Sequence, residues 1–93
     1  MVKAAQESGA TVVNTVFHKF TPTGVSGVVV VEESHFSIHT WPEEGYAACD
    51  FYTCGNCDPE KAIHLLSKYF DSLPPDCLKI NRGTPGFLKV SSL

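Results

Sequence analysis

At 93 residues the chain is short enough that a single domain (1–93) with one modest core is the only sensible reading. Its 43% hydrophobic and 18% charged residues exclude a disordered chain, and a net charge of −3 with no Lys/Arg run argues against nucleic acid or an anionic membrane as partner. The longest aliphatic run, Val28 to Val31, is far short of a membrane span, and no basic segment with an apolar core opens the chain, so there is no secretory signal and the cytoplasm is the default compartment.

Met1 to Ser8 reads as the end of a helix that begins without an N-cap, with Gly9 as its C-cap. Thr11 to Phe20 is rich in β-branched residues and reads as a strand. Pro22 and Gly24 mark a turn, and Val25 to Glu32 is a second strand in which Gly27 is a weak spot or a close-approach position. His35 to Trp41 is a third strand, stopped by Pro42. Glu43 to Gly45 makes a turn, and Tyr46 to Cys54 is a fourth. The period then changes. Asp58 suits an N-cap, Pro59 the first helical position and Glu60 the first turn, while Ala62, Leu65, Leu66 and Tyr69 fall at helical spacing. Pro74-Pro75 is read as the helix stop, Cys77 to Arg82 as a short last strand, and the tail from Gly83 as irregular.

Strands joined by short turns, with helices before and after them, predict an α+β fold: a two-layer sandwich with an antiparallel sheet and helices on one face. Strand parity sorts the side chains. Phe36, Ile38 and Thr40 share one face with Ala47, Cys49 and Phe51, which is assigned to the helices. His35, Ser37, His39 and Trp41 share the other with Asp50, Tyr52 and Cys54. A face bearing Trp and Tyr is too aromatic for water, which predicts a homodimer with sheets face to face and chemistry near the interface.

The segment Glu33-Ser34-His35, followed by Ser37-Ile38-His39-Thr40-Trp41-Pro42-Glu43, resembles the self-processing segment of the bacterial-type S-adenosylmethionine decarboxylases. Gly24-Val25-Ser26-Gly27 and Phe51-Tyr52-Thr53-Cys54-Gly55 match at similar spacing, so the resemblance spans roughly residues 2 to 57. It implies autocatalytic serinolysis at Glu33-Ser34, giving fragments 1–33 and 34–93 and a pyruvoyl group derived from Ser34. That group would form a Schiff base with the amine of S-adenosylmethionine and act as an electron sink while CO₂ leaves, yielding the aminopropyl donor of spermidine biosynthesis. The resemblance assigns His39 as the processing base with Ser26 assisting, Cys54 as the proton donor, and Phe20, Trp41 and Glu43 as substrate contacts. The family also carries a strand and most of a helix before the position of Met1, so the chain is expected to be N-terminally truncated.

Plainer readings stand beside these. Ser34 alone is a turn residue, Ser26 a sheet-edge hydroxyl, His39 a strand residue with a satisfied ring, Cys54 a buried inert thiol and Trp41 interface filler. A non-catalytic relative would keep the S-adenosylmethionine pocket and never cleave. Cys54-Gly55-Asn56-Cys57 is a CxxC that could serve a redox pair or, with His35 and His39, a zinc site; those histidines lie four apart on a strand and no second Cys pair exists. Cys49, Cys57 and Cys77 are read as incidental and the thiols as free.

Overall fold

The structure, a computed structural model, describes residues 1–53, 57–72, 74–82 and 89–92. Its centre is a four-stranded antiparallel sheet in the order β1 (Val12–Lys19), β2 (Val25–Val31), β3 (Ser34–Trp41), β4 (Tyr46–Tyr52). Helices α1 (Val2–Glu7) and α2 (Pro59–Phe70) cover one face, which makes the α+β sandwich expected from the strand and helix pattern.

The period of two decides which residues make the core. Val29 and Val31 of β2 and Phe36 and Ile38 of β3 are buried, whereas Val28, Val30, His35 and His39 between them face outward. Against the inward set lie Ala4 and Ala5 of α1 and Ala62 and Leu66 of α2. Three of those four helix residues are alanines, so the helix backbones approach the sheet closely and the bulk comes from the sheet side. Phe51 of β4 meets Phe36 edge-on with ring centroids 4.9 Å apart.

α2 starts as its sequence dictates. The Asp58 carboxylate accepts from the amides of Glu60 (3.1 Å) and Lys61 (3.2 Å), and Pro59 occupies the first turn, where its missing N–H is not needed. The Asp58 amide donates to the Ser8 carbonyl at 3.0 Å, tying the start of α2 to the end of α1. The helix stops at Phe70, before Pro74-Pro75, because Asp71 turns left-handed (φ 51°) and the amides of Asp71 and Ser72 close onto the carbonyls of Lys68 and Ser67.

The tail departs from expectation. Lys89–Ser92 forms a strand, β6, that pairs antiparallel with β5 (Leu78–Asn81) in a separate two-stranded sheet. Four residues, half of them serine, carry no strand pattern of their own; the pairing partner supplies the order. β1 also holds an irregularity between Val12 and Asn14, which shifts its register by one against β2. No helix among the described residues is long and apolar enough to cross a membrane.

Gly27 is a close-approach position. The Phe17 ring of β1 lies directly over it, and a Cβ built there would sit 2.1 Å from the ring. Gly27→Ala is expected to cost about 1–3 kcal/mol through overpacking. The check is a thermal melt of Gly27→Ala, Phe17→Ala and the double variant. The two losses should be clearly less than additive, and an unchanged melting temperature in Gly27→Ala would contradict the contact.

Candidate functional site

The β2–β3 register sets Ser26 opposite His39, both on the face away from the helices. The Ser26 hydroxyl and His39 Nδ1 are 2.8 Å apart, a hydrogen bond in either ring tautomer. With the hydroxyl donating, Nε2 carries the proton and can donate to an oxyanion; with Nδ1–H donating, Nε2 is a free base. Two residues further along β3, Trp41 pairs with Tyr46, and the two rings lie 5.4 Å apart at 30°. The His39 and Trp41 centroids are 6.5 Å apart. On β1, His18 lies opposite Ser26 and meets Phe20 edge-on at 4.6 Å.

The strand ends close this patch into a recess of about 320 Å³, lined by Phe20, Thr23, Ser26, His39, Thr40, Trp41 and Glu43. Thr40 finishes the ladder in place of a backbone pair: its hydroxyl accepts from the Val25 amide (2.8 Å) and donates to the Val25 carbonyl (3.2 Å). Glu43 arrives on the 3-10 turn Pro42–Glu44, which Gly45 ends in the left-handed conformation (φ 63°). Its carboxyl is held below the usual carboxylate range, first by its own backbone amide and then by the Thr23 hydroxyl. Aromatic rings, a poised carboxylate and a Ser–His pair in one recess suit a cationic, hydroxyl-bearing ligand.

Five of the residues singled out in the sequence therefore stand together: Phe20, Ser26, His39, Trp41 and Glu43. Ser34 does not stand with them. It opens β3 opposite Val31, at the far end of the strand from Trp41. The five steps from Ser34 to His39 along an extended strand span about 16 Å. Glu33, before it, is left-handed at φ 65°, an uncommon conformation for a residue with a side chain and a local store of strain. Cys54 lies outside the described residues. His35 and His39 are about 13 Å apart by the same strand rise, too far to share a tetrahedral ion. The His35 ring instead lies against Tyr52 at 5.6 Å, and the described residues contain no metal-holding cluster.

Thr23, Thr40 and Tyr46 were not singled out. Tyr46 could have been, since a turn over 42–45 pairs it with Trp41. Thr40 shares parity with the core set and is recruited only because the ladder ends there, and Thr23 has no pattern around it.

The S-adenosylmethionine decarboxylase family model matches residues 1–83. A relative from Fervidobacterium nodosum, "S-adenosylmethionine decarboxylase proenzyme", is 62% identical over 73 residues, covering 77% of this chain and 53% of its own. One of the same name from Moorella thermoacetica is 52% identical over 84 residues, 89% of this chain and 67% of its own. The crystal structure of the adenosylmethionine decarboxylase from Aquifex aeolicus superposes with a TM-score of 0.61 at 32% identity, over 99% of this chain and 66% of that one. The chain thus spans about half to two thirds of the length of these relatives.

The three described cysteines, Cys49, Cys57 and Cys77, are free. Cys49 faces the helix layer, where burial first and then the Asp50 charge push its thiol up to about 11. At pH 8 only about one molecule in a thousand is then the reactive thiolate. Cys49 should resist alkylation by iodoacetamide at pH 8 in the folded protein and react on unfolding. Rapid labelling of Cys49 in peptide maps of the folded protein would refute this.

Proposed function

This chain belongs to the S-adenosylmethionine decarboxylase family, and we propose from that premise that it is a pyruvoyl-dependent S-adenosylmethionine decarboxylase acting as a face-to-face homodimer. The observation that carries the reading is the pairing of a strained Glu33-Ser34 turn at one end of β3 with an aromatic, carboxylate-bearing recess at the other.

Maturation starts at the turn. The Ser34 Oγ attacks the Glu33 carbonyl carbon and displaces the Ser34 nitrogen, turning the amide into an ester. A base then takes the Ser34 α-proton. The Ser34 Cβ–Oγ bond breaks, Glu33 leaves as a free carboxylate carrying that oxygen, and a dehydroalanine remains. Its imine tautomer takes up water and releases ammonia. Net, one water enters and one ammonia leaves. His39 serves as base and oxyanion donor, with Ser26 fixing its ring through the 2.8 Å bond.

In one protomer the turn and the recess are about 16 Å apart, so His39 cannot serve the Ser34 of its own chain. A second copy resolves this. The outward face exposes Val16 (64%), Val28 (37%), Val30 (38%), Trp41 (40%) and Tyr52 (42%), an apolar surface suited to sheet-on-sheet packing. A dyad running between the sheets, across the strands near Ser37, sets the Ser34 turn of one copy over the recess of the other.

A pyruvoyl group at position 34 would supply an electron-withdrawing carbonyl for decarboxylation of the bound amine. Trp41 and Phe20 offer ring faces to the sulfonium and adenine, worth roughly 0.5–2 kcal/mol for a cation over a ring. Glu43 accepts from the ribose hydroxyls, and Cys54 returns the proton to the α-carbon. The product is the aminopropyl donor for spermidine synthesis, and a cytoplasmic setting fits the free thiols.

Two outcomes follow. Intact mass spectrometry should find fragments 1–33 and 34–93, the latter with a blocked N-terminus, and Ser34→Ala should stay a single chain; an uncut wild-type dimer with an ordinary serine sinks the reading. Ser34→Ala and His39→Ala should each be inactive alone and regain cleavage and decarboxylation when co-expressed. One of the two sites of the mixed dimer then joins an intact Ser34 to an intact His39. Absence of complementation in an isolated heterodimer would show that the site is not shared.

A further inference from the structure

We propose that Thr23 is a positioning residue for substrate recognition: its hydroxyl holds the Glu43 carboxylate in the orientation that receives the vicinal hydroxyls of the substrate's ribose. The inference deepens the reading of Glu43 given above and rests on it.

Thr23 Oγ1 donates to Glu43 Oε2 at 2.8 Å, across 20 residues of sequence. Neither group is buried, so water competes for the bond and its strength alone would not make it matter. The setting does. The loop carrying Thr23 is pinned on both sides. The Phe20 amide donates to the Gly24 carbonyl at 2.8 Å, and Gly24 (φ 101°) lies so close to the Thr40 backbone that a Cβ there would be 3.1 Å from its carbonyl oxygen. Glu43, for its part, sits on a turn fixed by Pro42 and Gly45. The bond therefore joins two rigid backbones and selects one rotamer of a side chain that would otherwise sample many.

Phe20 belongs to the same loop and lines the same recess. The Thr23–Glu43 bond thus sets the distance between an aromatic wall and the acidic acceptor, which is what recognition of a base joined to a sugar demands. A carboxylate offers about four acceptor sites. Thr23 occupies one and the Glu43 backbone amide another, and the remainder suffice for two hydroxyl donors. The same bond favours the ionised, acceptor-only form of Glu43. Fixing the acceptor before binding lowers the ordering cost of the complex without touching the reacting atoms, so the effect belongs in KM and not in kcat.

The test compares Thr23→Val, Thr23→Ser, Glu43→Gln and the double variant Thr23→Val/Glu43→Gln as cleaved dimers, with rates normalised to the cleaved fraction and folding checked by melting temperature. Thr23→Val should raise KM for S-adenosylmethionine about 5–20-fold with kcat within about twofold, and Thr23→Ser should stay close to wild type. In the Glu43→Gln background Thr23→Val should add nothing further. Thr23→Val should also discriminate less than wild type against an analogue lacking one ribose hydroxyl. An impaired Glu43→Gln beside an unaffected Thr23→Val, or fully additive effects, overturns the role of Thr23 alone. A Glu43→Gln enzyme with unchanged KM overturns the ribose reading of Glu43 and the Thr23 proposal with it.

Discussion

In an antiparallel pair, shifting one strand by a single residue turns each of its side chains to the opposite face. The β2–β3 pairing carries that constraint for this molecule. Val29 opposite Phe36 and Val31 opposite Ser34 bring the apolar positions beneath the helices, and the same register leaves Ser26 opposite His39 on the open side. Core and recess are two readings of one ladder. Burying Val29 and Phe36 completely secures the register, and the register delivers the 2.8 Å Ser26–His39 contact with no further device. A slip that broke the site would also expose the core, so the hydrophobic layer guards the geometry of the polar one.

Much of this was legible in the residues. Alternation in 36–41 and 47–52 gives the two faces, because one face of the sheet is covered and the other is not. Asp58-Pro59-Glu60 marks the start of α2 since each residue answers a specific need of a helix N-terminus. What escaped has physical causes. The stop at Asp71 depends on a left-handed non-glycine residue, for which the sequence carries no sign. β6 exists through its partner. Thr23 becomes relevant only when a turn 20 residues later folds back to meet it. Ser34 and His39 were the most instructive pair. Five residues apart in sequence suggests neighbours, yet an extended strand spends about 3.3 Å on each residue and carries them to opposite ends.

That separation changes the meaning of the open face. An exposed row containing Val16, Val28 and Val30 would be a liability on a lone protomer, but it lies between the strained turn and the recess, where a second copy would have to sit to bring them together. The proposed second copy would answer the solubility problem and the catalytic problem together. Neighbouring features fit it: Ser37 and Asp50 face each other in the middle of this surface at 3.5 Å, polar groups that can fix the register of two sheets where apolar contact alone would let them slide.

The position of the proposed cut bears on stability as well as on chemistry. A break between Glu33 and Ser34 falls in the turn, after β2 ends and as β3 begins. It would remove the connection and the Val31–Ser34 end of the ladder, and leave the five register pairs from Ser26–His39 to Val30–His35. Both new segments keep buried anchors, Val29 and Val31 on one side and Phe36 and Ile38 on the other, each seated against α1 or α2. The larger fragment would retain β3, β4 and α2, and the smaller α1, β1 and β2, so the core would draw on both: Ala5, Val29 and Val31 from the smaller pack with Phe36 and Ala62 from the larger. Such a cut would release the left-handed strain at Glu33 and free the start of β3. On the proposed reading the fold places the bond to be cut at the edge of the β2–β3 ladder, where breaking it would spare the buried pairs and give the new terminus freedom to reach a recess on another chain.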